Sequence, residues 1–365
     1  MSLLHSASTE KLLLKLLLFL LLMALPLHIR ADQIMVKRGE DSTTTNSSEK
    51  ILIIGVREDA PPFSEGPVQP DRSNANLTVK SGPLRAAGYD GYMIYICDEV
   101  LKQMMIVDGN APTLKEGEFK VVNVDELMRG TFLDDRIELL DGGEIDILCD
   151  PASINRERLR EYAVSPPLFL TGISYLMREG DVEPQSICGV RKALIGVVGR
   201  TNAFQYGIEA ILNSGAWARK RDVIIAAMRN TGGNRPTSCP DAGHQGAIWR
   251  ATSHMELAEA FCKGEVTYYV GDLEIIQASV ERFPGCRVTS GAQRFTTDRY
   301  AIFARMNYDR GENWKAIRIA RFYELLNRGV IASDSLLDHA YDATFHGAPR
   351  SQILELFYWS MRGAR

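Results

Sequence analysis

The sequence lacks the short motifs that identify several large classes of enzymes and metal proteins. It has no CxxC and no HExxH motif, and only four of its six histidines lie beyond residue 31. These absences argue against a structural zinc site or a zinc protease. The 42 basic and 46 acidic residues give a net charge of −4, so no bulk positive field favours nucleic acid. We therefore expect no metal site and no nucleic-acid partner.

Long apolar runs are absent except at the N-terminus. There, two lysines precede the apolar run LLLFLLLMALPL at residues 16–27, and residues 29–31 (IRA) offer a cleavage site. This order predicts a secretory signal peptide over residues 1–31, with an uncleaved anchor as the alternative. The run is shorter than the roughly 20 residues of a membrane span. Residues 32–50 are polar and rich in Ser and Thr, which predicts a flexible leader.

The signal peptide changes the meaning of the cysteines, because disulfides form in oxidising compartments. An even number of cysteines favours disulfides, but six cysteines allow fifteen pairings and the sequence does not choose among them. The alternative is that some of them are small buried hydrophobic residues. The six are Cys97, Cys149, Cys188, Cys239, Cys262 and Cys286.

The body of the chain alternates short β-rich apolar runs with longer helical patterns. A length of 365 residues suggests two domains, and strands separated by helices indicate βαβ units with mostly parallel sheets. Two such sets occur, at about 51–170 and 175–285, so we predict an α/β fold. Strands are predicted at 51–57, 119–124, 145–149, 173–177, 193–198, 222–227, 266–270 and 300–304, and helices at 91–104, 202–213, 253–263 and 312–328.

Two stretches look like insertions, and the C-terminal region has its own pattern. Residues 64–88 and 229–250 are rich in Pro, Gly and polar residues, which predicts surface loops.

Residues 333–365 contain two amphipathic stretches, which we expect to pack onto the first domain. The residues expected to make that contact are Ile353, Leu356, Phe357 and Tyr358.

The most informative segment is DILCDPASINRERLREYAVS at residues 146–165. An apolar strand ends at Cys149, a polar turn follows, and Arg158 arrives within a charged helical turn. Ligands in α/β proteins usually bind at such strand ends. A Ser hydroxyl, backbone N–H groups and the planar donors of an arginine suit a carboxylate. The alternative is that Arg158 is one of several solvated charges in NRERLRE.

This segment resembles the ligand-binding signature of the polar amino-acid class of periplasmic solute-binding proteins (family 3). GVREDAPPFS at 55–64 and DGGEID at 141–146 are also similar to that family, and the resemblance covers about residues 51–330. It implies a two-lobed α/β fold of the type II periplasmic-binding-protein kind, with a hinged cleft between the lobes. The predicted lobe limits are 51–171 with 290–365 for the first lobe and 172–289 for the second.

The resemblance also implies a function. A periplasmic protein of this family binds a polar amino acid, closes by hinge motion, and delivers the ligand to an ABC transporter permease in the inner membrane. We expect a monomer without a cofactor and without enzymatic activity.

The resemblance assigns residues to the two ends of the amino acid. It implies that Ser153 and Arg158 hold the α-carboxylate. ALIGVVGRTNAF is similar to the family's strand, glycine turn and helix start in the second lobe, where Thr201 and nearby backbone N–H groups hold the carboxylate from the opposite side. A phosphate loop is the alternative for GVVGRT, but the segment is neither Walker A nor GxGxxG.

The ammonium group has a counterpart in the segment GEVTYYVGD at residues 264–272. It resembles the family strand whose final Asp binds the α-ammonium group, which gives that role to Asp272. The alternative is that Asp272 caps the following helix.

The pattern is nearest to the glutamate/aspartate-binding members. Arg57 matches their first-strand arginine, which holds the side-chain carboxylate, and His254 lies at or beside their ligand-contacting histidine. Binders of lysine, arginine and glutamine usually have an aromatic residue where this chain has Ala60. The family usually has a small residue at the position of Asp150. If Asp150 faces the pocket, its carboxylate would disfavour a ligand with an anionic side chain and recruit a cation.

Three alternatives to amino-acid transport remain open. The same fold hosts periplasmic cyclohexadienyl dehydratases, which remove water and carbon dioxide from prephenate or arogenate, and Glu58 or Asp150 would then be candidate acid–base groups. A protein of this kind also serves as a ligand sensor for a membrane receptor. In the third alternative the chain is a structural relic whose cleft has no function.

Overall fold

The computed structural model describes residues 50–66, 82–106, 114–129, 131, 135–181, 193–229, 246–290 and 293–362. The predicted signal peptide, nearly all of the predicted leader, Cys188 and Cys239 lie outside these residues, so the predictions made for them stay predictions. No helix within the described ranges combines the length and the apolar character needed to cross a membrane.

Short apolar runs form the strands, and most of the predicted strands are found within a few residues of the predicted bounds. The segment at 193–198 agrees at both ends. The strands are β1 (Leu52–Val56), β2 (Asp59–Ala60), β3 (Ser64–Glu65), β4 (Phe119–Asn123), β5 (Ile147–Ser153), β6 (Ala163–Val164), β7 (Phe169–Thr171), β8 (Ile173–Arg178), β9 (Ala193–Val198), β10 (Gly246–Ala251), β11 (Val266–Asp272), β12 (Val288–Ser290) and β13 (Asp298–Ala304).

The helices follow the predicted segments and add several short turns. Short 3₁₀ helices cover Arg136–Glu138, Ala218–Lys220 and Arg310–Glu312, and a π-helical turn covers Ala203–Gly207. The α-helices are α1 (Pro83–Ala86), α2 (Tyr92–Met105), α3 (Val124–Met128), α4 (Leu139–Gly142), α5 (Arg158–Glu161), α6 (Ile208–Asn213), α7 (Arg221–Arg229), α8 (His254–Cys262), α9 (Leu273–Glu281), α10 (Asn313–Ile331), α11 (Leu336–Phe345) and α12 (Gln352–Met361).

The first sheet has the strand order β4-β1-β5-β13-β6, and β7 also pairs with β13. β4, β1 and β5 run parallel, whereas β13 runs antiparallel to β5. The run LIIGV of β1 is almost entirely buried, as expected for a parallel sheet that is covered on both faces. Ile96, Val100 and Phe322, from α2 and α10, belong to the same fully buried core.

The second sheet has the order β10-β9-β11-β8-β12. β9 runs parallel to β10 and β11, and β8 runs antiparallel to β11 and β12. Every residue of β9 is buried. This sheet has its own hydrophobic clusters, one around Ile195 and Val197 and another around Leu257, Phe261 and Ile276.

Between the described strands, the chain passes from one sheet to the other twice. β7 ends at Thr171 in the first sheet and β8 begins at Ile173 in the second; the return runs from Ser290, the end of β12, to Asp298, the start of β13. The two connections touch, because the hydroxyl of Thr296 accepts the backbone N–H of Ile173 at 2.8 Å. The result is the two-lobed α/β architecture that the sequence predicted.

Two disulfides lie within the described residues. Cys97 of α2 pairs with Cys149 of β5, and Cys262 of α8 pairs with Cys286. Each bond lies within one lobe, and the second joins the end of α8 to the loop between α9 and β12. For these four cysteines the structure favours disulfides over the alternative of unpaired buried thiols.

The strand predicted at 222–227 is wrong. These residues belong to α7, where Ile224 is buried and Val223 is exposed. The short run VIIAA is compatible with either structure by composition, because a buried strand and a helix face are both apolar. The fold decides: β9 and β10 are parallel neighbours, and parallel neighbours require a crossover connection, usually helical.

The two predicted surface loops are also partly ordered into elements. Residues 246–251 form β10 at the edge of the second sheet, so the predicted loop at 229–250 ends earlier than expected. In the first insertion, residues 64–65 form β3 and residues 83–86 form α1.

The C-terminal helix only partly follows its prediction. Tyr358 is buried against the first lobe and its hydroxyl lies 2.6 Å from that of Tyr92. Ile353 and Leu356, however, are 65% and 66% exposed. Only one side of α12 faces the core, since residues three or four apart share a helix face.

Candidate ligand-binding cleft

The cleft lies between the lobes, where strands of both sheets end. The space between its walls measures about 530 Å³ when the open solvent at its mouth is included. The carboxyl ends of parallel strands meet at one edge of a sheet and form the usual binding crevice of α/β proteins. The described lining residues are Arg57, Asp135, Arg136, Pro151, Ser153 and Arg158 from the first lobe, and Arg200, Thr201, Asn202, Ala203, Gln205, His254, Val270, Gly271, Asp272 and Ile275 from the second.

Arg57 follows β1 and is held by an acid of α3. Its Nε donates to Asp125 Oδ1 at 3.0 Å, and its side chain is buried. Burial alone would raise the pKa of Asp125, but Arg57 outweighs burial and lowers that pKa. The two terminal nitrogens of Arg57 have no hydrogen-bond acceptor among the described residues, which leaves them available to a ligand.

Arg158 opens α5 and folds back over the end of β5. Its Nη1 donates to the backbone oxygen of Ser153 at 2.8 Å, and its Nη2 pairs with the carboxylate of Asp135. That carboxylate also caps the turn at Arg136–Glu138 through the N–H of Ile137. The Ser153 hydroxyl has no hydrogen-bond partner among the described residues and remains open to a ligand. Arg158 is thus a fixed, buried cation rather than one of the solvated charges of its segment.

Arg136 is a cleft residue that the sequence analysis missed. Its Nε pairs with Asp150, and its Nη2 donates to the backbone oxygen of Pro151 at 3.2 Å. Asp150 is completely buried and does not line the cleft, so the structure places it behind Arg136 rather than at the ligand surface. The signal for Arg136 was its position inside the capping box formed by Asp135 and Glu138.

The second lobe contributes the turn that follows β9. Thr201 Oγ1 donates to the backbone oxygen of Val198 at 2.7 Å, which fixes its side chain at the start of the helical turn. The first N–H groups of a helix have no acceptor within it and suit an anion. Arg200, in a left-handed conformation with φ 58°, reaches across to the backbone oxygens of Met128 and Thr131 in the first lobe at 3.3 and 3.1 Å.

Asp272 ends β11 and stands at the N-cap position of α9. Its side chain makes no capping hydrogen bond, and its buried Oδ1 has no partner among the described residues. Burial raises the pKa of Asp272 to about 7, and the nearby charge of Asp298 adds to that shift. The helix-cap alternative therefore does not account for this carboxyl group, which needs a donor or a cation.

His254, the first residue of α8, is buried and neutral. Its Nδ1 lies 2.9 Å from the hydroxyl of Tyr269. Burial, reinforced by the positive charge of Arg57, lowers the pKa of His254 to about 3. The ring therefore offers a neutral polar contact to the cleft instead of a charge.

The structure brings six of the seven predicted residues to one cleft. Their contact with a ligand stays a prediction, and so does that of Asp150. Within the described part of the chain, no group of three or more His, Cys, Asp or Glu side chains is placed to hold a metal ion. The described lining includes no Phe, Tyr or Trp. The six cleft residues are Arg57, Ser153, Arg158, Thr201, His254 and Asp272.

Proteins of similar fold are known from solved structures, although no protein-family model and no curated protein matches the chain. An ancestral arginine-binding protein bound to arginine matches with a TM-score of 0.51 and 16% identity, covering 81% of this chain and 98% of its own. ArtJ, the arginine-, lysine-, histidine-binding protein of the thermophilic bacterium Geobacillus stearothermophilus, matches with a TM-score of 0.50 and 16% identity, covering 84% and 100%.

These similarities establish the class of fold. The chain has the two-lobed α/β fold of amino-acid-binding proteins. An identity of 16% carries no information about the ligand, which must be argued from the residues of this cleft.

Proposed function

We propose that this protein binds a free amino acid in the cleft, and that glutamate or aspartate fits the cleft best among the polar amino acids. One observation carries the proposal: the guanidinium group of Arg158 and the unpartnered carboxyl group of Asp272 face the same cleft from different lobes. A zwitterion supplies a donor to Asp272 and a further acceptor to Arg158, which already pairs with Asp135.

The two ends of the amino acid have separate partners in this proposal. The α-carboxylate binds Arg158, the free hydroxyl of Ser153 and the helix start at Thr201. The ammonium group binds Asp272, which loses its proton as the ammonium arrives. Burying either charge without a partner costs several kcal/mol, so each end of the ligand depends on its own group.

The side chain of the ligand faces further cations. Arg57 has free terminal nitrogens, Arg136 lines the same cleft, and neutral His254 adds a polar contact. Asp150 would oppose an anionic side chain only if it faced the pocket, but it is buried and paired with Arg136. These contacts support an acidic side chain.

The two neighbours bind arginine, or arginine, lysine and histidine, so a cationic side chain is the competing proposal. Aromatic faces attract a guanidinium or ammonium group, and the described lining of this cleft has none. A cationic side chain would meet Arg57, Arg136 and Arg200 instead. The composition of the lining therefore favours glutamate or aspartate.

We further propose the biological setting that the family resemblance implies. The chain is exported by its signal peptide, works in the periplasm as a monomer without enzymatic activity, and delivers its ligand to an ABC transporter permease. The lobes consist of residues 51–171 with 290–365 and of residues 172–289. The positions of the two crossings between the sheets support these limits.

A thermal-shift comparison tests the ligand. The protein without residues 1–31 is heated with glutamate, aspartate, glutamine, lysine, arginine or prephenate. A ligand present at a hundred times its dissociation constant adds about 2.7 kcal/mol of stability, which raises the melting temperature measurably. We expect the shift with glutamate or aspartate. A shift only with lysine or arginine contradicts the acidic ligand, and no shift with any amino acid contradicts amino-acid binding.

A periplasmic dehydratase is the second candidate, and the state of Asp272 favours it. A carboxyl group with a pKa of about 7 can donate a proton to a leaving hydroxyl group at neutral pH. Glu58 and Asp150, which the sequence analysis named as acid–base groups, do not line the cleft. Glu58 instead accepts a hydrogen bond from Asn123 at 2.7 Å and pairs with Arg129.

The dehydratase is tested by following prephenate consumption at pH 7. Turnover by the wild type that disappears in Asp272→Asn supports the enzyme. Absence of turnover, combined with a thermal shift by glutamate, supports the binding protein.

A further inference from the structure

The hairpin of β2 and β3, residues 59–65, carries two carboxylates that both reach the second lobe. Asp59 accepts the backbone N–H groups of His254 and Met255, the first two residues of α8, and the Met255 nitrogen lies 3.2 and 3.3 Å from the two carboxylate oxygens. Glu65 pairs with Arg282, directly after α9. One hairpin of the first lobe thus contacts two helices of the second.

The hairpin is firmly fixed in its own lobe. Phe63 is fully buried, and its ring packs edge-on against Tyr300 with the centroids 5.0 Å apart. The hydroxyl of Ser64 donates to the backbone oxygen of Arg57 at 2.8 Å and accepts its N–H at 3.1 Å. Gly91 (φ +116°) lets α2 begin against the hairpin, because a Cβ at this position would lie only 2.6–2.7 Å from the backbone atoms of Pro62 and Phe63. A displacement of the hairpin would therefore displace the first lobe.

We propose that residues 59–65 form an interlobe clasp, which holds the lobes together without a ligand, and that Asp59 supplies most of its strength. Asp59 is 8% exposed and accepts charge-assisted hydrogen bonds at a helix N-terminus, where negative charge is favourable. The Glu65–Arg282 pair has about a third of each side chain exposed, and solvent weakens such pairs.

The clasp is separate from the groups that face the ligand. Asp59 and Glu65 do not belong to the described lining of the cleft. Asp59 acts through His254 as a positioning residue, because it fixes the start of α8 and with it the distance between the lobes. A larger closed population before binding reduces the cost of closing around a ligand.

The experiment needs no ligand. The wild type, Asp59→Ala and Glu58→Ala are compared, each without residues 1–31, by amide hydrogen exchange and small-angle X-ray scattering. In Asp59→Ala we expect exchange at His254 and Met255 to become at least about tenfold faster, as for the loss of a hydrogen bond to a charged group, and the radius of gyration to increase. Glu58→Ala removes the neighbouring carboxylate, whose partners all lie in the first lobe, and should change neither quantity.

The outcomes separate a clasp from an ordinary helix cap. Faster exchange with an unchanged radius of gyration would mean that Asp59 only caps α8, which overturns the proposal, as does no change at all. If Asp59→Ala does not fold, Asp59→Asn should give smaller shifts in the same directions, and an unchanged radius in that variant has the same negative meaning. Failure of every amino acid in the thermal-shift test would leave this result intact.

Discussion

The hydroxyl of Tyr300 lies beside the carboxyl group of Asp272 and offsets part of the rise in its pKa, although the contact falls outside good hydrogen-bond geometry. Two buried polar groups joined only by such a contact cost stability. The Asp272 end of the cleft is therefore costly in the ligand-free protein, and a ligand that supplies a donor to Asp272 recovers part of that cost.

Replacing Asp272 with Asn should stabilise the ligand-free protein at pH 8. The pKa of Asp272 rises on folding from 3.8 to about 7, so the folded state resists ionisation and loses stability between pH 4 and pH 7. A shift of about three units corresponds to roughly 4 kcal/mol, and Asn removes that cost. Urea unfolding of both proteins at pH 8 and pH 4 measures the difference, which should nearly vanish at pH 4. An equal difference at both pH values would contradict the raised pKa.

Truncating Arg158 to Ala should nearly abolish ligand binding. The change removes the cation proposed for the α-carboxylate. It also leaves Asp135 without its partner, and the loss of one member of a buried charge pair typically lowers the stability of the fold by about 3–5 kcal/mol. Calorimetric titration with glutamate measures the affinity. Arg160→Ala, an exposed arginine of the same helix, is the control and should bind normally. Micromolar affinity in Arg158→Ala would remove its assigned role.

The pair of Arg136 and Asp150 should show strong coupling in stability. Arg136→Met leaves the fully buried Asp150 charge without a counter-ion, which should destabilise the protein by about 3–5 kcal/mol. Adding Asp150→Asn removes the stranded charge and should restore much of the loss. Urea unfolding of the two single variants and the double variant completes the cycle. A double variant no more stable than Arg136→Met would show that the pair does not act as a unit.

The two disulfides should differ in their effect on binding. Replacing either pair with serines should destabilise the protein by about 3–4 kcal/mol, given the sequence separations of 24 and 52 within the pairs and the loop-entropy relation. Only the Cys97–Cys149 bond is attached to β5, which carries Ser153. Loss of that bond should therefore also weaken glutamate affinity, whereas loss of Cys262–Cys286 should reduce the melting temperature alone. Equal effects on affinity would contradict this distinction.

The sequence predicts the sheets well where strands are buried on both faces. The run at 193–198 is continuous and apolar, and its bounds are those of β9. The same kind of signal fails at 222–227, because five apolar residues do not distinguish a strand from a helix face. β10 was missed because it follows a segment rich in Gly and Pro, and its place in the sheet depends on pairing with β9.

The cleft is predictable to the extent that its residues follow strands. Thr201 lies three positions after the end of β9, and Asp272 is the last residue of β11. Their positions therefore follow from the edge at which parallel strands end. The partners of the arginines are different. Asp125 lies 68 positions from Arg57, and Asp59 lies 195 positions from His254. Such pairs depend on tertiary structure, and a single sequence contains no local signal for them.

The three arginines that the first lobe contributes to the described cleft lining are each paired with a carboxylate. The pairs are Arg57 with Asp125, Arg136 with Asp150 and Arg158 with Asp135. Neighbouring charges that cancel produce little long-range field. The protein therefore does not attract a charged ligand from a distance. The association rate constant should be nearly the same at low and at high ionic strength. Stopped-flow association at low and high salt measures this rate, and a strong dependence on salt would contradict the balance of charges.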